Sequence, residues 1–468
     1  MTTPINRQQM LQATLSALVF ALAGCAVGPD YKTPATPAAA GYVQDQLPAR
    51  AGSAEAGGAQ TLAIDEDIPA QWWTLFHSAP LNELIEASLK NNPDIAAARA
   101  ALRQARELAA AQRGFYFPSV TADFNPTRQE VSSVVASSAS SGADYYSLQT
   151  AQLSVAFVPD VFGANRRQVE SLAAQAESQR FQLEAAKLTL TSNVVVAAIQ
   201  EAALRAQVDA THRLIDAQRK VLDSFQRQLA LGQVAQTDVM AQESQLAQTE
   251  AALPPLEKQL AQQRDLIAAL AGRFPAEEIS AKFDLEDLQL PAELPVSLPS
   301  KLVQQRPDIR SADAQLHAAS AQIGVAIANR LPNIQITGSI GSTSTAFSDL
   351  FQAGTGFWSI AGDLTQPLFD AGTLKHRQGA AEAAYDQAAA QYRATVITAF
   401  QNVADALHAV VSDADAFRAT QRAERIARRA LDITQQQLVL GDVGSLAVIN
   451  AEQTWLQARL NLITAQGN

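Results

Sequence analysis

The chain has 468 residues, of which 46 are acidic and 35 basic, with a formal net charge of −11 and a single cysteine. That balance leaves no basic face for nucleic acid, and one cysteine excludes an internal disulfide. Stability must come from packing.

Arg7 gives a weakly basic start, and Met10 to Gly24 form a mostly apolar segment of 15 residues, shorter than the roughly 20 needed to cross a hydrocarbon core. Residues 1–24 read as a signal peptide. Ala23 and Gly24 directly before Cys25 form a lipobox. Signal peptidase II is expected to cleave there and leave Cys25 carrying diacylglycerol and an N-acyl chain. Ala26 is not the aspartate that retains many bacterial lipoproteins in the inner membrane, so an outer-membrane address follows. Within residues 25–79, the proline-spaced stretch Gly28 to Pro48 is expected to be a flexible tether. No later run approaches 18 apolar residues, so no transmembrane helix is expected in the mature chain. A membrane crossing would then need a closed β-barrel, the other structure that satisfies every backbone group in lipid.

Proline is absent between Pro159 and Pro254 and again from Pro367 to Asn468, which permits two very long helices rich in Ala, Gln, Leu and Arg. Val194, Val208, Ile215, Leu222 and Leu229 recur on a seven-residue spacing interrupted at Glu201. Val396, Val403, Val410, Phe417, Leu431 and Leu438 do the same, interrupted at Glu424. This is coiled-coil periodicity. A helix from Val161 to Ala230 would be on the order of 100 Å long.

The two tracts are related. Leu229-Ala-Leu-Gly232-Gln-Val234 matches Leu438-Val-Leu-Gly441-Asp-Val443 at an offset of 209 residues, and Asn92-Pro-Asp-Ile95 matches Arg306-Pro-Asp-Ile309 at 214. The chain reads as an internal duplication, with a first repeat over residues 80–272, a joint over 273–299 and a second repeat over 300–468.

Each repeat also carries two stretches of period two, predicting strands at about 118–126, 148–158, 333–342 and 357–366. Ser119, Thr121 and Asp123 alternate with Val120, Ala122 and Phe124; Gln335, Thr337 and Ser339 alternate with Ile334, Ile336 and Ile340. Leu153, Val155 and Phe157 share one face, and Trp358, Ile360 and Leu364 oppose Ser359, Asp363 and Thr365. Each is near the ten residues a tilted transmembrane strand requires. Thr127 to Ser147 and Thr343 to Gly356 read as exposed hairpin loops. Four strands cannot close a useful barrel and leave two bare edges, so several copies are expected to share one barrel, apolar face to lipid and Ser/Thr face to a wet lumen. The fold class is thus mainly α with a membrane β-barrel portion.

The lipobox with Gly28-Pro-Asp-Tyr-Lys-Thr-Pro34, Gln71-Trp-Trp73 before Leu81, Arg306-Pro-Asp308, and Phe162-Gly163 with Arg166-Arg167 resemble the TolC-type outer-membrane factors, closest to the lipoprotein branch serving resistance-nodulation-division (RND) efflux pumps. The resemblance covers essentially the whole mature chain. It implies a homotrimer with a twelve-stranded β-barrel in outer-membrane lipid, continued by an α-helical barrel through the periplasm. It also implies two partners, a periplasmic adaptor protein and an inner-membrane RND transporter. The function it implies is passive export of drugs or metal ions through the outer-membrane channel of a tripartite efflux system. A type I protein secretion channel has the same architecture, and a non-channel periplasmic coiled-coil scaffold would need the strands to lie off the membrane.

No Walker-type phosphate loop, His-Glu-x-x-His motif or cluster of metal ligands occurs, and His77, His212, His317, His376 and His408 are scattered. No enzyme, metal or cofactor other than the lipid on Cys25 is expected. Gly232 and Gly441 fit residues just past helix ends, and Thr237 and Ser445 fit N-caps of the helices that follow. The resemblance makes these turns the periplasmic tip where the adaptor docks and the pore constricts: Leu231, Gly232, Gln233, Val234, Leu440, Gly441, Asp442 and Val443. It also places the gate's acidic ring on positions here occupied by Ala447 and Asn450. The gate candidates are therefore Asp442, which three copies would bring around one axis, with Asn450 and, in the first repeat, Asp238.

Overall fold

A computed structural model describes residues 26–37, 41–43, 50–51, 60–64, 66–130, 145–277 and 279–468. The signal peptide, Cys25 and the centre of the first hairpin loop lie outside the described residues. In chain order the elements are β1 (Arg50–Ala51), β2 (Gln60–Ile64), α1 (Ala79–Asn91), α2 (Pro93–Arg113), β3 (Ser119–Glu130), β4 (Tyr145–Phe157), α3 (Ala164–Ala230), α4 (Gln236–Leu270), β5 (Glu293–Val296), α5 (Pro299–Gln305), α6 (Pro307–Ala328), β6 (Asn333–Ser344), β7 (Gly356–Thr365), α7 (Thr373–Leu440) and α8 (Ser445–Gly467).

These form two compact units, each drawing on both sequence repeats. The first takes the described parts of residues 1–35, 101–180 and 310–394. Its centre is a four-stranded antiparallel sheet in the order β3-β4-β6-β7. The two repeats place the same device at the helix that follows each hairpin. Asp160 accepts the N–H groups of Asn165 and Arg166 at 2.8 and 2.7 Å at the start of α3. Asp370 accepts those of Gly372 and Leu374 at 2.9 and 2.8 Å at the start of α7. A carboxylate on the free N–H groups of a first turn satisfies donors that have no helical partner.

The second unit takes the described parts of residues 36–100, 181–309 and 395–468. Here equivalent positions of the two sequence repeats share a backbone geometry. The helix break at Asn92 has φ −64° and ψ 127°, that at Arg306 has φ −68° and ψ 125°, and the prolines that follow each restart a helix. Ile95 and Ile309, the equivalent apolar residues, are both buried. In α3 the ladder residues Val194, Val208 and Ile215 are buried, as are Val396 and Leu431 in α7. Both ladder interruptions are carboxylates with specific partners. Glu201 is buried, pairs with Arg205 and accepts the Phe283 N–H at 3.3 Å. Glu424 accepts the Trp455 indole N–H at 3.0 Å, with the Arg428 guanidinium 5.0 Å from the same ring.

Three features depart from the sequence expectation. A small sheet, β1-β2-β5, pairs β2 in parallel with β5, Thr61 opposite Glu293 through Ile64 opposite Val296, tying the N-terminal segment to the joint between repeats. Helix α4 runs through Pro254 and Pro255, which are both exposed, so the carbonyls they leave unbonded can be solvated. Finally, α7 contains a window with mean hydropathy 1.2, long and apolar enough to cross a membrane by length and composition. The sequence holds no uninterrupted run of 18 apolar residues there; the stretch is apolar on average because α7 mixes abundant alanine with Val, Ile and Phe.

Candidate functional site

The sheet of the first unit segregates its faces across all four strands. In register, Val120 meets Val155, which meets Gly338 and then Ile360; the next row is Ala122, Leu153, Ile340 and Trp358. The intervening row is Thr121, Ser154, Ser339 and Ser359, with the Ser339 and Ser359 hydroxyls 2.8 Å apart. Trp358, Ile360 and Leu364 are 75%, 76% and 70% exposed in the single chain. Large side chains in water on one face of a sheet, opposite a hydroxyl row, mark a surface meant for an apolar medium.

The segment after Cys25 is docked from Val27 to Tyr31, which corrects the first part of the Gly28 to Pro48 stretch expected as a flexible tether. The Val27 N–H donates to Phe162 C=O at 3.2 Å. Arg167, buried at the start of α3, donates to Val27 C=O at 3.1 Å and to Asp30 at 2.8 Å, and also binds Glu170 at 2.8 Å. Glu170 in turn meets His317 Nε2 at 2.9 Å, His317 stacks on the Tyr31 ring at 4.5 Å, and Tyr31 hydrogen-bonds Asp313. Burial pushes the Glu170 carboxyl up, but its bonds to His317 and Arg167 outweigh this and hold it below the ordinary value. Burial and Asp313 raise the Tyr31 phenol. The Gly-Pro-Asp-Tyr motif was legible as a motif; its receptor, spread over α3 and α6, was not.

The two turns of the second unit share one geometry. Gly232 has φ 71° and Gly441 φ 81°. Gly232 N–H bonds Leu229 C=O and Gln233 N–H bonds Gln228 C=O, both at 2.9 Å; Gly441 bonds Leu438 at 3.1 Å and Asp442 bonds Gln437 at 2.9 Å. Each is a Schellman C-cap, in which a left-handed residue lets two terminal carbonyls find partners. Leu231 and Leu440 are exposed by 73% and 74%, Gln233 is exposed, and Val234 and Val443 are half-buried.

Thr237 and Ser445 are not N-caps. Ala235 and Gly444 hold the extended cap positions, with ψ 153° and 165°, and Thr237 and Ser445 are already helical. A carboxylate does the capping work instead: Asp238 accepts the Ala235 N–H at 3.2 Å and the Ser445 hydroxyl at 2.9 Å, joining the starts of α4 and α8. Of the gate candidates, Asp238 is thus engaged structurally, while Asp442 and Asn450 are exposed side chains. Among the described residues no cluster of metal-ligating side chains occurs.

A family model described as outer membrane efflux protein matches residues 84–273 and 298–468. The toluene efflux pump outer membrane protein TtgC of Pseudomonas putida is 30% identical over 97% of this chain and 90% of its own. Among solved structures, the outer-membrane channel OprN superposes with a TM-score of 0.82 at 26% identity, covering 95% of this chain and 96% of its own. The outer membrane protein VceC from Vibrio cholerae gives 0.78 at 25% identity, over 86% and 96%.

Proposed function

The chain belongs to the outer membrane efflux protein family, and we infer that it is the outer-membrane channel of a tripartite efflux system, a passive duct for small toxic compounds. The observation that carries this reading is the segregated sheet, with an exposed apolar face and a hydroxyl row opposite. In one chain β3 and β7 are edge strands, each with a bare row of backbone donors and acceptors. Pairing β3 of one copy with β7 of the next closes the sheet and removes both edges. The number of copies comes from the resemblance to TolC-type outer-membrane factors, which implies three; with four strands each they make a barrel of twelve, and we assign the homotrimer on that basis.

Nothing in the chain carries an energy-coupling motif, so the duct draws on partners: an RND transporter in the inner membrane and an adaptor docking at the turns around Gly232 and Gly441. Cys25, carrying its lipid, would anchor the docked Val27–Tyr31 segment to the outer membrane. The relative's printed cargo, toluene, favours small apolar toxins over protein export. Planar-bilayer recording from purified protein tests the duct, and stepwise single-channel conductance is the expected result. A deletion strain should become sensitive to solvents or drugs while exporting its proteins normally; protein export lost without any change in sensitivity would reverse the cargo assignment.

A further inference from the structure

Three buried side-chain oxygens without a hydrogen-bond partner belong to one junction of the second unit: Gln218 Oε1 on α3, Gln242 Oε1 on α4 and Glu452 Oε1 on α8. Their residues are 0%, 1% and 1% exposed. Gln218 Nε2 donates to Glu452 Oε2 at 3.3 Å, and Gln242 Nε2 reaches the Gln218 C=O at 3.5 Å, so the three residues form a chain across three helices. Next to them Gln453 donates to Gln245, and nearer the helix starts Ser445 donates to Asp238. Helices α4 and α8 are therefore stitched by polar pairs, and the Glu452 junction adds α3.

Every unsatisfied atom at this junction is an acceptor, so what is missing is a hydrogen. A carboxylate buried there would be charged and short of solvation, with the Gln218 amide N–H as its one donor. Among the described residues no cation pairs with it. On α3, Asp216 and Arg219 are exposed, and Arg219 is bonded to Glu250 of α4 at 2.7 Å. Glu243 on α4 is exposed; on α7, Glu424 binds Trp455 and Arg428 lies over the same ring. Arg459 on α8 is half-buried and makes no bond to Glu452, whose one hydrogen bond among the described residues comes from Gln218. A proton on Glu452 Oε1 removes the charge and turns one of the three acceptors into a donor for one of the two glutamine oxygens.

We propose that Glu452 is a proton-operated latch: as the neutral acid it donates to a glutamine carbonyl and holds α8 against α3 and α4, and its ionisation loosens the junction. Burial raises this carboxyl above the ordinary glutamate value, with the Gln218 bond opposing in part. Glu452 lies seven residues beyond Ser445, about 10 Å along the helix. The link to gating rests on the reading of these turns as the channel's tip.

The sign follows from linkage. A carboxyl raised on folding is more protonated in the closed junction than in the open one, so stability falls as pH rises from the ordinary value of about 4.3 through the raised one, and is flat above it. One linked proton permits at most about a tenfold loss per pH unit. Hydrogen exchange of Ser445–Gly467 in the full chain, corrected for intrinsic rates, should lose protection over that interval, and Glu452→Gln should stay protected and pH-independent. The infrared carbonyl stretch of a protonated carboxyl should vanish over the same interval in the wild type, a readout that stands if Glu452→Gln does not assemble. Parallel wild-type and Glu452→Gln profiles, absence of a protonated band that tracks the loss, or protection at fixed pH that rises specifically with added sodium, potassium or calcium would each overturn the latch. Bilayer recording separates the two readings: a pH-independent junction in a conducting channel removes the latch alone, and a non-conducting protein with a working latch removes the channel alone.

Discussion

Gly28 and Gly324 pack backbone against backbone: a Cβ placed on Gly28 would lie 2.4 Å from the Gly324 Cα. Gly28 also has φ 99°, where side chains are strained. On the other side, a Cβ on Gly324 would meet the Arg167 side chain at 2.7 Å and the Val27 carbonyl at 2.9 Å. The N-terminal segment thus fits α6 only because both residues are glycine, and the Arg167 side chain occupies the position a Cβ on Gly324 would need. Gly28→Ala should cost about 1–3 kcal/mol, the range for overpacking. The expected readout is increased cleavage at exposed Lys32 by trypsin, with the trimer intact.

The same segment gives a pH prediction. Glu170 is held below its ordinary value by His317 and Arg167 against the opposing effect of burial. A carboxyl depressed on folding contributes stability that is present above its unfolded value of about 4.3 and lost as pH falls through the folded one. A nitroxide on Lys32→Cys should therefore become mobile on acidification below about pH 4, and Glu170→Gln should be mobile at neutral pH with no further acid transition.

The register of the sheet sorts substitutions by face. Ile360 faces Gly338 and is 76% exposed in the single chain; Ser359, its neighbour, is 2.8 Å from Ser339 on the other face. Ile360→Arg and Ile336→Arg should impair outer-membrane assembly, by about 2–4 kcal/mol for a charge at the lipid midplane. Ser359→Arg and Thr337→Arg should assemble. Heat-modifiable trimer bands measure this, and four equal variants would contradict the facing.

The strands were legible because a sheet between lipid and water must alternate, and period two survives without knowing any partner. The turns were legible through Gly232 and Gly441, since only a left-handed position demands glycine there. What sequence could not show depends on segments far apart in the chain. β2 pairs with β5 across more than 200 residues, and Arg167 serves Asp30, a residue that reads locally as part of a loose proline-spaced stretch. Ser445 looked like a cap because the preference for serine at that position is local, whereas its real acceptor is Asp238 on the other repeat. Glu201 and Glu424 looked like simple breaks in a ladder; their partners, Phe283 and Trp455, come from the joint and the last helix.

The C-caps should be sensitive to a single methyl group. At Gly441, φ 81° forces an L-residue into a conformation that costs roughly 1–2 kcal/mol, and no atom lies near enough to clash with the added Cβ. Gly441→Ala should therefore raise hydrogen exchange at the ends of α7 and α8 without altering trimer bands. Gly232→Ala, at φ 71° and equally unobstructed, should do the same for α3 and α4.

The two aspartates of the turns should behave differently although both were candidates for the gate. Asp238 binds the Ala235 N–H and the Ser445 hydroxyl, so Asp238→Ala removes a cap and a link between α4 and α8, a loss of about 1–2 kcal/mol at the turn. Asp442 is exposed; its backbone N–H closes the α7 cap, and that bond does not depend on the side chain. Asp442→Asn should therefore leave folding and trimer bands unchanged. If three copies bring Asp442 around the axis, their summed charge attracts cations, and Asp442→Asn should lower cation selectivity and weaken block by multivalent cations in bilayer recordings. Selectivity and block unchanged in Asp442→Asn would make the residue a solvated turn aspartate, and the constriction would then have to be uncharged, set by side chains such as Asn450 that can narrow a pore without repelling one another.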